Sequence, residues 1–228
     1  MPELWSYALS DFILFSPRVY YRFLEMRNAA LWPLHLVTVS SGLAMVYWTL
    51  RPTPARTRLV LSVCGALWLW MAWSFFWRDY ASINWAAAYF APLATLQGGA
   101  IFLAAVKHTH TNTAQTRTVP SILAIGVLVF SVLGYPFIAL GMERNWPAGE
   151  VIGIAADPTA VATLAALVLI RVRMRWLLAL VPIMWCLISG LTLWALNAGD
   201  FFVAPLCAIT TIGLMAYMGR RTPYVDKS

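Results

Sequence analysis

Four carboxylates carry the strongest chemical signal in the sequence. Glu143, Glu150, Asp157 and Asp200 stand at the ends of apolar runs or in the connection 142–157, among Tyr80, Asn84, Trp85, Tyr135, Asn145 and Trp146. Carboxylates beside amides and aromatic rings can coordinate a cation or bind a polar solute. Tyr80, Tyr135, Glu143, Trp146, Glu150, Asp157 and Asp200 therefore read as an acidic, aromatic outer vestibule. The competing reading is an interfacial Trp/Tyr belt with solvated charges. Asp157-Pro158-Thr159 reads first as a helix start, with Asp157 capping free amides and Pro158 in the first turn.

Within the apolar runs, ionisable groups are almost absent. His35, in Leu31-Trp32-Pro33-Leu34-His35, is the exception. An intramembrane histidine suits a proton relay or a ligand contact, and equally a structural hydrogen bond between helices. With Asn84, Gln97, Asn197 and Thr210 it is assigned to a solute path. Pro92 and Pro205 each lack a backbone donor within a run, so they are candidate hinges. Other chemistry is set aside. His108 and His110 have no Cys or acid nearby to complete a zinc sphere. Cys64, Cys186 and Cys207 each lie in an apolar run, where packing is the default. No run contains a Schiff-base lysine, only one contains a histidine, and no metalloprotease, nucleophile-elbow or P-loop motif occurs. No catalytic residue, metal or cofactor is assigned, and the paired intramembrane charges of an ion pump are not visible.

The elements that must position these residues follow from composition. The 228 residues are 61% hydrophobic and 11% charged, where a soluble chain carries roughly 45–50% apolar and about 25% charged residues. A membrane-crossing helix needs about 20 apolar residues. Seven runs stand out, at 29–50, 59–77, 84–106, 119–141, 158–170, 176–197 and 201–219. The expectation is an all-α, polytopic bundle of seven transmembrane helices over 29–219. The fifth run is short and would borrow length from 151–156 or thin the bilayer around it. Residues 1–28 mix Asp11, Pro17, Arg18 and Arg22 with aromatic anchors, which fits amphipathic helices lying at the interface. Residues 220–228 form a tail.

Charge sorts by side. Eleven of the 16 basic residues fall where the chain emerges after odd-numbered runs, against five (Arg18, Arg22, Arg27, Arg78 and Arg144) on the other side. By the positive-inside rule the amino terminus is outside and the carboxyl terminus inside. The net charge of +7 separates into an inner excess and an acidic outer face, so it does not indicate nucleic acid. The partners expected are the lipid bilayer, anionic lipid at Arg171, Arg173 and Arg175, and a membrane-protein partner or a second copy of the chain.

A shift of 113 residues superposes Asn84 on Asn197, Ala91-Pro92-Leu93 on Ala204-Pro205-Leu206, and Met71 on Met184. Any repeat would be parallel, in a three-plus-one-plus-three plan. Several motifs, namely Asn28-Ala29-Ala30-Leu31-Trp32-Pro33, Ile83-Asn84-Trp85-Ala86-Ala87, Leu96-Gln97-Gly98, Gly134-Tyr135-Pro136, Trp146-Pro147, Gly153-Ile154-Ala155 and Asp157-Pro158-Thr159, are scattered over most of the chain. Through them the sequence resembles domain-of-unknown-function family 6064, bacterial membrane proteins with no established activity. The resemblance implies a multi-pass protein of the bacterial inner membrane. In topology alone the plan is also similar to SWEET-type seven-helix sugar transporters. The leading functional expectation is a small permease-like protein moving a neutral or weakly polar solute. The alternatives are a structural or assembly subunit of a membrane complex, and a membrane enzyme working at the outer face through Glu143, Glu150, Asp157 and Asp200.

Overall fold

The computed structural model describes residues 15–107 and 118–221. The interfacial segment expected before residue 15, the loop with His108 and His110, and the tail from 222 onward lie outside the described residues. The described chain is helical: α1 (Pro17–Ala30), α2 (Leu34–Leu50), α3 (Pro54–Met71), α4 (Ala87–Lys107), α5 (Val119–Val129), α6 (Ile138–Gly141), α7 (Ala156–Leu169), α8 (Arg175–Ala195) and α9 (Val203–Arg221). Two π-helical stretches, Ala72–Asp79 after α3 and Phe130–Gly134 after α5, extend those helices without breaking them. Five stretches are long and apolar enough to cross a membrane: Pro54–Ser82, Ala87–Lys107, Val119–Gly141, Arg175–Ala195 and Val203–Arg220. They answer the second, third, fourth, sixth and seventh expected runs.

The other two runs depart from the seven-helix expectation. The first, 29–50, is not one helix: α1 ends at Ala30, α2 starts at Leu34, and their axes differ by 92°. Pro33 is the cause, since it lacks an amide hydrogen and its ring disfavours helical geometry in the residue before it. The fifth run forms α7, which has 14 residues. That is about 21 Å of helix, short of the about 30 Å of a hydrocarbon core. All of its residues are buried. A helix that is apolar on every face belongs inside a fold, and the alanines of Ala160-Val161-Ala162-Thr163-Leu164-Ala165-Ala166 let neighbouring backbones approach closely. α7 thus fills the centre of the bundle.

Side-chain bonds define the two ends of the bundle. Asp157, at the start of α7, is bonded by Trp185 at the middle of α8, by Ser189 one turn further on, and by Tyr135, late in the α5–α6 stretch. At the opposite end Arg171 and Arg175 donate to the carbonyls of Met218 and Met215, each at 3.2 Å. Arg171 thereby satisfies one of the last four carbonyls of α9, and both cations lie at the negative end of that helix. α3 and α4 touch through Gly65 and Gly98: a Cβ on Gly98 would stand 2.9 Å from the Gly65 carbonyl oxygen. α8 and α9 meet instead through Gly190 against Pro205. A shift of 113 residues does not interconvert these contacts, so the two halves of the echo pack differently.

Candidate functional site

The site is built around Asp157. The side-chain oxygen Oδ1 accepts from Trp185 Nε1 at 2.8 Å, and Oδ2 accepts from the Ser189 hydroxyl at 2.6 Å and the Tyr135 hydroxyl at 3.3 Å. Asp157 is 2% exposed. Its capping role is not the one the Asp-Pro-Thr motif suggests. The N-cap of α7 is Ala155, whose side chain makes no capping bond. Asp157 is two residues past the cap and bonds toward α8, while its charge still lies at the positive end of the helix. Thr159 does the local work: its hydroxyl accepts from the Gly153 amide and donates to the Ala155 carbonyl, both at 2.8 Å. Thr163 repeats the back-bond to Thr159 at 2.8 Å and accepts from Trp68 Nε1 at 2.9 Å.

Aromatic rings wall the carboxylate. Trp185 stands edge-on to Phe76 at 4.8 Å, Phe90 at 5.6 Å, Phe75 at 6.2 Å and Tyr80 at 6.3 Å between ring centres. Tyr20 and Tyr80 pack at 6.4 Å. Such edge-to-face sets are stiff and apolar, and they keep water from the carboxylate.

Arg27 braces the connection that leads into α7. It is 3% exposed. Nε donates to the Ile154 carbonyl at 2.7 Å, Nη1 to the Ser74 carbonyl at 2.9 Å and Nη2 to the Ser74 hydroxyl at 2.9 Å. Nη1 also pairs with Asp79, and the guanidinium lies over the Phe75 ring at 5.1 Å. The planar fork of an arginine is suited to this many fixed acceptors. Its acceptors Ser74 and Asp79 lie in the π-helical stretch, a distortion that recurs at functional sites. The next residue, Asn28, donates from Nδ2 to the carbonyls of Pro147 at 2.6 Å and Gly149 at 2.8 Å. Its Oδ1 meets His35 Nε2 at 3.1 Å. With both amide hydrogens donated, Oδ1 must accept, so His35 carries its proton on Nε2. His35 Nδ1 is buried and has no partner among the described residues.

Glu150 and Asp200 complete the acidic set. Glu150 is 8% exposed and Asp200 6%. Arg144 pairs with Asp200 and lies over the Tyr21 ring at 4.5 Å. Asp200 Oδ1 and Arg144 Nε are buried without a bonded partner among the described residues. Burial pushes the Glu150 carboxyl well above the usual carboxylate range; the negative charges of Asp157 and Asp200 add to this, and Arg144 opposes it. Among the described residues no group of three His, Cys, Asp or Glu is placed to hold a metal ion.

The vestibule expected from sequence is therefore divided. Tyr80, Tyr135, Glu150, Asp157 and Asp200 are buried together at one end of the bundle, whereas Glu143 and Trp146 are exposed. Glu143 has φ 55° just after α6, and Trp146 packs edge-on to Phe137 at 5.3 Å. The residues of the expected solute path are not brought together. Gln97 donates to the Leu178 carbonyl at 2.6 Å, Asn84 accepts from the Ala86 amide at 3.1 Å, and Thr210 donates to its own helix at Leu206. Asn197 is exposed and has φ 54° just after α8, and His35 bonds Asn28. Pro92 lies inside α4, whereas Pro205 lies in the first turn of α9, where a proline needs no donor. The expectation of an interior without paired charges does not hold. Arg27, Glu150, Asp157 and Asp200 come from run ends and connections, and the fold turns them inward. Arg27, Ser74, Asp79 and Trp185 are site residues that sequence reasoning missed. The available signal was a lone arginine next to an apolar run, in a chain with few charges to match it.

Residues 18–224 match the family of unknown function DUF6064. The chain belongs to that family. No curated protein and no solved structure matches it, so the topological likeness to SWEET-type transporters has no support. For this DUF6064 protein, with five helices long and apolar enough to span, the family and the fold together indicate a membrane protein.

Proposed function

We propose that this chain is a permease-like protein of the bacterial inner membrane, with its amino terminus outside, that handles a small solute bearing a positive charge. One observation carries the reading. At the start of a short, wholly buried helix, three donors hold a buried carboxylate, Asp157, among aromatic rings, and its charge reaches a second buried carboxyl, Glu150. Interrupted helices buried within membrane proteins commonly form solute and ion sites, and buried ionisable groups mark such pathways. Preorganised carboxylates among aromatic faces favour a small ammonium group. Asp157 is the fixed anion, and Glu150 exchanges its proton for the charge of the solute. Entry runs past the turn Trp146–Ala148, clamped by Asn28, instead of down the axis that α7 fills. Anionic lipid at Arg171, Arg173 and Arg175 belongs to the same membrane setting.

Uptake of radiolabelled methylammonium into proteoliposomes tests this. Uptake above protein-free liposomes is expected for the parent and is lost in Glu150→Gln and Asp157→Asn. Parent uptake no greater than background, or variants that match the parent, would overturn the proposal.

The filled axis favours a second reading, a structural or assembly subunit of a larger membrane complex. It predicts stable co-purification with other membrane proteins after gentle extraction, and a clean single species would count against it.

A further inference from the structure

Four of the five basic residues that charge sorting places on the outer side converge on one groove. Arg18, Arg22 and Arg27 of α1 and Arg78, distant in sequence, all line a cleft of about 1000 Å³ between α1 and the end of the Pro54–Ser82 stretch. The carboxylates lining the same cleft are Glu25 and Asp79, so four positive charges face two negative ones. Their pairing leaves the surplus at the rim. Arg27 is buried against Ser74, Asp79 and Ile154. Arg22 shares Glu25 at 3.1 Å, and Arg78 shares the same Asp79 at 2.7 Å. Arg18 is exposed and has no ion-pair partner among the described residues. The floor beside this rim is apolar: Val19, Phe23, Met26 and Ile83 line it, and Met26 is 61% exposed.

The place of the cleft suits an amphiphile. The 92° bend lays α1 across the end of α2, level with the end of an apolar span, where acyl chains give way to headgroups. Arginines bind phosphate oxygens through their forked donors. A basic rim above an apolar floor at this level matches a phosphate that carries hydrocarbon, with the rim on the headgroup and the floor on the chain.

We propose that this cleft binds an anionic phospholipid, its headgroup phosphate held by Arg18, Arg22 and Arg78 and its first chain segments laid along Phe23, Met26 and Ile83. This site is separate from Asp157 and its partners and does not depend on the function proposed for them.

The full chain in detergent is melted with phosphatidylglycerol, with phosphatidylcholine and with inorganic phosphate, each at matched concentration. A variant carrying Arg18→Gln, Arg22→Gln and Arg78→Gln is melted alongside; Arg27, which braces the fold, is left intact. Phosphatidylglycerol is expected to raise the melting temperature of the parent by several degrees more than phosphatidylcholine, and the triple variant loses at least half of that difference. Native mass spectrometry should show a matching loss of retained phosphatidylglycerol. Arg18→Gln alone, at an exposed position, serves if the triple variant does not fold, and it too must lower lipid retention. Equal effects of the two lipids, an effect of inorganic phosphate that matches phosphatidylglycerol, or unchanged retention in the variants would each overturn the proposal.

Discussion

At the scale of single residues, the described structure concentrates its buried charge at one end of the bundle and balances it with aimed donors. Arg27 illustrates the cost of disturbing that balance. A buried acceptor left without its donor costs about 1–3 kcal/mol, while Asp79 keeps its pair with Arg78. Arg27→Ala leaves Asp79 and the Ser74 and Ile154 carbonyls without this donor, and a large drop in the melting temperature in mild detergent is expected. Arg27→Lys keeps the charge but not the fork, so it should recover only part of the loss. A full recovery would show that charge alone matters there. Glu150 makes a prediction about pH. Its carboxyl titrates well above the ordinary range in the folded chain, so the folded state holds the proton more tightly than the unfolded one. The resulting stability is complete below the unfolded value and is lost as pH rises through the folded value. Melting temperature should fall between acid and neutral pH, and Glu150→Gln should flatten that slope. A slope unchanged by the substitution would assign it to another group.

At the scale of elements, the decisive piece is the connection into α7. Gly153 has φ +74°, and a Cβ there would lie 2.7 Å from Thr38 Cγ2. A left-handed conformation costs a residue with a Cβ about 1–2 kcal/mol before any clash is counted. Gly153→Ala should therefore destabilise the protein and shift the Ile154 carbonyl that Arg27 holds. Gly126→Ala is the matched control. Nothing lies within 4 Å of its Cβ position, and alanine is the better helix former. Thermal melts of both variants separate a constrained glycine from an incidental one, and equal losses would remove the special status of Gly153. The π-helical stretch Ala72–Asp79 has a similar standing, since it carries both Ser74 and Asp79 to Arg27.

At the scale of the whole molecule, the bonds at its two ends divide exposed positions into two groups. Ser82 and Arg173 are both exposed, one at the end of the span that begins at Pro54 and the other shortly after α7. Ser82→Cys and Arg173→Cys, introduced separately, should react with a membrane-impermeant maleimide from opposite sides of sealed vesicles, Ser82→Cys from the outer side. Labelling of both from one side would overturn the proposed crossing pattern. The native thiols should contribute little background, because Cys64 and Cys186 are buried and Cys207 is half-buried.

The sequence by itself determined the solvent of this protein. Its apolar fraction and the spacing of its charges required helices long enough for a bilayer, and five of the seven expected runs became such helices. Periodicity acts along the chain, so it could locate those runs. It could also place Glu150, Asp157 and Asp200 at their ends, near Tyr80 and Tyr135. Tertiary structure alone decided which of these residues meet. Trp185 and Ser189 reach Asp157 from about thirty positions away, and Arg27 reaches Ile154 across 127. No local pattern records such pairings, because they are fixed by the bend at Pro33, the shortness of α7 and the burial of α7 on every side. A run that looked like a weak crossing helix is the centre of the fold, and Asp157, which looked like a helix cap, is held inside it by donors from other helices.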